Sequence, residues 1–225
     1  KLVADIRIDG AGKKVTRSDN CRVSDLSVSS DNLTFTYEAK SLPYPIDTSY
    51  YDNEKHTQAD ALSVIPFMDE MNYEGLSVSG LSDGYYGLTI GGEFIGRFTA
   101  RELERGINMA LLQNTPQYKQ AMKIRQMNEE RWLKERKMRE FYWVEYNLMR
   151  KTGMLWACNE AAVDTLRKYR PHDIFLQWNG DLWLQYMHKG IREDCVNEQQ
   201  DLVNQIYEQN KPIPLRIEIK KFTDL

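Results

Sequence analysis

The chain contains three histidines, His56, His172 and His188, and any serine-histidine-acid triad would have to use one of them. His56 falls in a polar stretch, and His172 directly follows Pro171. His188 precedes Lys189-Gly190 at the end of a predicted helix, where a positive imidazole is favourable without catalysis. No G-x-S-x-G elbow occurs, and no two histidines have metal-ligand spacing. Cys21, Cys158 and Cys195 form no C-x-x-C pair, which argues against a zinc site. They read as packing or surface thiols, with a Cys158–Cys195 bridge left open. The carboxylate neighbours Asp69-Glu70 and Glu129-Glu130 point apart on a helix or strand, whereas a glycosidase pair must face across a cleft. No catalytic residue, metal ligand or cofactor is therefore assigned.

Aromatic residues offer contacts instead of chemistry. Tyr44, Tyr50 and Tyr51 crowd one loop, and exposed rings of this kind stack on sugars or bases. Trp178, Trp183 and Tyr186 share a helical stretch, but Trp183 and Tyr186 have core spacing. Trp132 stands in the mixed-charge run "EERWLKERK", a solvated helix face or a partner-binding surface. Asn114 is the polar contact if its junction belongs to a substrate cleft. The net charge of -3 gives no general attraction to nucleic acid. No apolar run approaches the roughly 20 residues of a membrane-spanning helix. The chain starts at Lys1 without an initiator methionine, so a processed product or a piece of a longer protein is expected.

The elements that position these residues divide by periodicity. "LVADIRID", with Val3, Ile6 and Ile8, is followed by the turn "GAGKK". "CRVSDLSV" and "LTFTYEA" alternate apolar and polar residues across Ser30-Asp31-Asn32, as half-buried strands do. "NYEGLSVSGL" is a further strand, and "YYGLTI" and "EFIGRF" flank Gly91-Gly92, a strong hairpin signal. Thr99 and Glu102 form a capping box, opening a helix of about three turns through Leu112. Thr115 then caps a second helix with Pro116 at its first position. No proline or glycine interrupts it before Gly153, so it runs to about Lys151, on the order of 50 Å at 1.5 Å per residue. "MLWACNEAAVDTLRKY", "HDIFLQWNGDLWLQYMHKG" and "REDCVNEQQDLVNQIYEQN" read as helices, the last with Val196, Leu202, Val203 and Ile206 inward. "PLRIEIKKF" is a closing strand with Leu215, Ile217 and Ile219 in alternation.

At "GINMALLQNTPQYKQAMKIRQMNEER" and through "LSVSGLSDGYYGLTIGGEFIGRFTARELERGINMALL", the sequence resembles the C-terminal part of bacterial SGNH/GDSL-type hydrolases, over roughly residues 1 to 150. That family's catalytic blocks, G-D-S and D-x-x-H, do not occur here, so the resemblance carries no catalytic residue to any position. It implies a secreted or periplasmic location, and a catalytic SGNH domain of the same parent chain as partner.

The expected fold class is α+β. A small antiparallel β-sheet or sandwich base spans 1–112 and ends in a short helix. A protruding helical arm, a hairpin or bundle, spans 113–211, and a closing strand in 212–225 returns to the base. The structural joint is Thr99, Glu102, Thr115 and Pro116. The expected function is a non-catalytic accessory region of an ester hydrolase, buttressing or shaping access to a catalytic domain outside this chain. A carbohydrate-binding accessory module on the loop tyrosines and a helical interaction scaffold, self-associating through the arm, are the alternatives.

Overall fold

A computed structural model describes residues 2–48 and 57–222. The fold is mixed α+β, with two sheets, a long helical region and a closing C-terminal strand. The chain divides into two compact units, residues 1–125 with 209–225, and residues 126–208.

In the first unit, one sheet has the order β2-β1-β5-β8, from β1 (Leu2–Asp9), β2 (Lys14–Asp19), β5 (Tyr73–Ser79) and β8 (Ile107–Asn108). The other has the order β3-β4-β9-β6-β7, from β3 (Cys21–Val28), β4 (Asn32–Ala39), β6 (Tyr85–Ile90), β7 (Glu93–Thr99) and β9 (Leu215–Lys221). Alternation built these strands: Ile6, Ile8, Leu76 and Val78 of the first sheet share one buried cluster with Leu33, Phe35, Leu88 and Ile90 of the second. The β6–β7 hairpin turns through Gly91 and Gly92, with φ of 59° and 85°. Only a residue without a Cβ takes both angles at low cost.

Strand β9 is central. Ile217 faces Phe35 of β4 on one side and Ile90 of β6 on the other, and Ile219 faces Leu33 and Leu88. All six side chains are essentially sealed from solvent.

The sheets differ from the sequence reading in two respects. β1 and β5 pair in parallel, so the first sheet is mixed rather than antiparallel. β2, in "KVTRSD", carries no apolar alternation because it is an exposed edge that contributes little to the core. The helix expected through Leu112 is only α2 (Ala100–Arg105), after the short α1 (Phe67–Glu70). Gly106 stops it with φ of 95°. The next residues form β8 and a 3-10 turn, Met109–Leu111, which starts where the Asn108 side chain accepts from the Ala110 N–H at 3.1 Å.

In the second unit, the long helix α3 (Pro116–Val144), begun in the first unit, passes into a π-helical turn, Glu145–Met149. There follow α4 (Glu160–Tyr169), a 3-10 turn (Arg170–His172), α5 (Ile174–Tyr186) and α6 (Lys189–Gln209). Phe141, Val144, Leu148, Leu166, Leu176 and Trp183 lie at the heart of this unit's core. The helix expected from Met154 starts only at Glu160. Trp156 takes a φ of 63°, which breaks helical geometry, and Asn159 caps the helix by accepting from the Ala162 N–H at 3.0 Å. On α6, Leu202 is buried as expected, but Val196 is half exposed and Cys195 takes the inward position. No disulfide forms, and Cys21, Cys158 and Cys195 are free thiols.

Because Ile217 is buried in the centre of a sheet, replacing it leaves a cavity flanked by two strands. Ile217→Ala is expected to cost about 2–5 kcal/mol of unfolding free energy. Ile213→Ala, on the exposed approach to β9, should change it by less than about 0.5 kcal/mol. Urea unfolding of both variants reads the difference.

Candidate functional site

Asn114, Thr115 and Pro116 connect the sheets to α3, and each is committed to structure. The Asn114 amide donates to the Ile95 carbonyl of β7 at 2.9 Å. The fully buried Thr115 hydroxyl donates to Leu112 O at 3.0 Å and accepts from the Tyr118 N–H at 3.3 Å. Pro116 opens α3, where its missing N–H costs nothing. Further up the chain, Thr99 Oγ1 accepts from the Glu102 N–H at 3.2 Å, and the Thr99 N–H donates to the Glu102 carboxylate at 2.7 Å. The Thr99 N–H, and then the Thr99 hydroxyl that donates to the same carboxylate at 2.7 Å, hold the Glu102 carboxyl below the usual carboxylate range.

Behind the joint lies a buried acid that sequence reasoning missed. Glu74 of β5 is wholly sealed from solvent. Its carboxyl accepts from the Tyr37 hydroxyl at 2.8 Å and from the Gln117 amide at 3.3 Å. Burial pushes its pKa up to about 7, against the two hydrogen bonds. Burial and the neighbouring Glu74 charge in turn hold the Tyr37 phenol far above its ordinary range. Gln117 Oε1 has no partner. A protonated Glu74 would supply one, since its O–H can donate to an amide oxygen once that amide rotates.

The network continues outward. Asn108 Oδ1 accepts from the Glu74 N–H at 2.9 Å, and Asn108 Nδ2 donates to Met68 O at 3.0 Å. Asn72 is hydrogen-bonded in both directions to the backbone of Tyr44. The Tyr118 hydroxyl donates to Ile46 O at 2.5 Å. Tyr44 itself rests edge-on against Phe67 at 5.7 Å and its hydroxyl accepts from Gln58. Tyr50, Tyr51 and His56 lie outside the described residues; Tyr44 is packed on one side and about half exposed.

In the helical unit, the π-turn presents a second missed acid. The Glu145 side chain is buried and both oxygens are used: Oε1 accepts from Trp183 Nε1 and Oε2 from the Trp156 N–H, each at 2.8 Å. Beside this turn opens a cleft of about 360 Å³, lined among others by Trp143, Lys151, Tyr169, His172 and Leu176. That volume lies within the range of small-molecule sites. Phe175 packs on Trp143 at 5.2 Å and Trp178 on Phe175 at 5.5 Å, leaving Phe175 and Trp178 largely exposed beside it. Asp173 is spent as the cap of α5. Among the described residues Lys151 and His172 carry no ion pair, and they are polar groups of the cleft lining. Trp132 is half exposed under the Arg139 guanidinium at 5.6 Å, and His188 lies 3.3 Å from the Cys158 thiol. Among the described residues no group of three histidines, cysteines or acids is arranged to hold a metal ion.

Comparison with known proteins places this geometry. Residues 122–211 match a family model described as the C-terminal helical domain of diltiazem deacetylase, nearly the span of the second unit. A solved structure of a gut microbial diltiazem-metabolizing enzyme is similar to the chain with a TM-score of 0.92 and 35% identity, covering 99% of this chain and 50% of that one. The chain thus spans about half the length of that enzyme. No curated protein matches it. These matches overturn the resemblance to SGNH/GDSL hydrolases. The blocks that carried it, "LSVSGLSDGYYGLTIGGEFIGRFTARELERGINMALL" and "NTPQY", hold the hairpin, cap and joint described above.

The buried Glu74 predicts a pH dependence of stability. Its pKa lies above that of an unfolded glutamate, about 4.3. Stability from this group is therefore complete below about pH 4, falls as pH rises toward 7, and levels off above. Glu74→Gln removes that slope. Relative to wild type, the variant should gain a few kcal/mol between pH 4 and pH 8, read by urea unfolding at both. A difference independent of pH would mean that Glu74 ionises as an exposed acid does.

Proposed function

We propose that this chain is the non-catalytic accessory region of a deacetylase-type hydrolase. Its helical unit shapes access to a catalytic centre carried outside these residues. The single observation behind this reading is that the match to a deacetylase's C-terminal helical domain, residues 122–211, coincides with a separately packed unit, residues 126–208. The similarity of nearly the whole chain to half of a diltiazem-metabolizing enzyme supports the same division of labour. On this reading the substrate class is an acetylated aromatic small molecule of the diltiazem kind, and the partner is the catalytic domain.

The polar groups of the chain fit an accessory role. Glu74 and Glu145 are consumed by internal hydrogen bonds, Asp173 by a helix cap, and Asn114 and Thr115 by the joint. Lys151 and His172 remain available in an aromatic-walled cleft, which suits contact with a passing ligand more than bond cleavage. A general base needs a nucleophile or a substrate proton within hydrogen-bond reach, and among the described residues His172 makes no hydrogen bond to a side chain.

The test is an assay of the purified chain on diltiazem and on 4-nitrophenyl acetate, followed by chromatography and absorbance. Deacetylation should stay at the buffer rate for both. Hydrolysis that keeps a constant specific activity through successive purification steps, and that disappears when the chain is unfolded, would overturn the accessory reading.

A further inference from the structure

We propose that Cys158 and His188 form a thiol–imidazole pair that makes Cys158 a site of covalent modification by soft electrophiles, such as α,β-unsaturated carbonyl compounds. Cys158 Sγ lies 3.3 Å from His188 Nδ1, and both residues are exposed. A thiol beside a base is the arrangement that activates sulfur as a nucleophile. Cys158 directly precedes Asn159, the cap of the ten-residue α4.

Geometry holds the pair from both ends. Trp156, two residues before Cys158, donates its N–H to Glu145, and Trp183, on the helix leading to His188, donates its indole N–H to the same carboxyl. The nearest carboxylates in sequence are already occupied: Glu160 lies 4.0 Å from Arg167, and Glu193 lies 3.2 Å from Lys189. The other two thiols are not alternatives. Cys21 and Cys195 are buried, and burial holds the Cys21 thiol up to about 11.

The step balances within the pair and the electrophile. With the imidazole proton on Nε2, Nδ1 is an acceptor and takes the Sγ proton. The sulfur lone pair forms a bond to the β-carbon of the unsaturated carbonyl, and the displaced π electrons move to the α-carbon. That carbon takes the proton back from the imidazolium, so there is no leaving group and no oxidant or reductant.

Acrylamide is the probe, with adducts located by intact mass and peptide mapping of the full chain. At pH 7 the first adduct should fall on Cys158, and Cys158→Ser should abolish it while Cys21 and Cys195 stay protected. His188→Asn keeps the side chain polar but removes the base. It should slow modification by at least about tenfold at pH 7, a modest share of a general base's usual contribution. The gap should close by about pH 10, where free thiols ionise without help. Equal rates for His188→Asn and wild type at pH 7, with unchanged circular dichroism, would overturn the proposal. So would a gap of the same size at both pH values, which would report altered access to the thiol and not proton transfer.

Discussion

Strand β9 is hydrogen-bonded to β4 on one side and to β6 on the other, although the helices of residues 126–208 separate it in sequence from both. The five-stranded sheet is therefore incomplete until the chain has passed through the helical unit and returned. Without β9, β4 and β6 would each present an unpaired edge, and Leu33, Phe35, Leu88 and Ile90 would lose the side chains facing them. Non-local pairings of this kind are entropically late contacts, so the core of the first unit depends on a strand that follows the helical unit in sequence. The joint at Asn114 to Pro116 serves the same constraint at the outgoing end. Its four successive residues, Asn114 to Gln117, are fixed to Ile95, Leu112 and Glu74 or, for Pro116, by its ring.

Two buried carboxyls do corresponding work in the two units. Burying an acid is costly unless its oxygens find donors, and both sites supply them. Glu74 draws Tyr37 of β4 and Gln117 of α3 onto β5, linking both sheets to the first turn of the long helix. Glu145 draws α5 and the connection before α4 onto the π-turn. They differ in their donors: Glu74 accepts from a phenol and a more distant amide, and Glu145 from an indole N–H and a backbone N–H at 2.8 Å. The π-turn is where an inserted residue redirects side chains, a device common at functional positions.

Period-two alternation made most strands of the first unit legible, and the Gly91-Gly92 hairpin and the Thr99 and Thr115 caps were readable from residue type and spacing. β2 was not legible because an exposed edge needs no apolar face. The parallel β1–β5 pair was not, since no local signal encodes which distant strand becomes a neighbour. Gly106 was present to be read as a stop, and the apolar pattern through Leu112 concealed it. The two buried acids left a trace that only their neighbours reveal. Glu74 is in phase with Leu76 and Val78 on the inward face of β5, and Glu145 of the π-turn continues the buried stripe of Met138 and Phe141 on α3. A charged residue in phase with a core face is either an error of assignment or a satisfied buried group, and here it is the second. The cleft at Trp143 and His172, and the approach of Cys158 to His188, join residues far apart in sequence and have no linear signature.

Trp156 shows how position is obtained at the expense of local conformation. A bulky residue with φ of 63° carries a strain of about 1–3 kcal/mol, and glycine would relieve it. The strained turn directs the Trp156 N–H to the Glu145 carboxyl, and a typical hydrogen bond contributes about 0.5–1.5 kcal/mol net. The bond and the strain are thus of similar size, so this turn adds little net stability. What it does add is geometry. The indole of Trp156 is set against Phe141, Tyr142 and Tyr146 at 5.9 to 6.3 Å, and the chain leaves the turn with Cys158 beside His188. The turn thus fixes the places of a thiol, an imidazole and an aromatic patch while contributing little net stability to the helical unit.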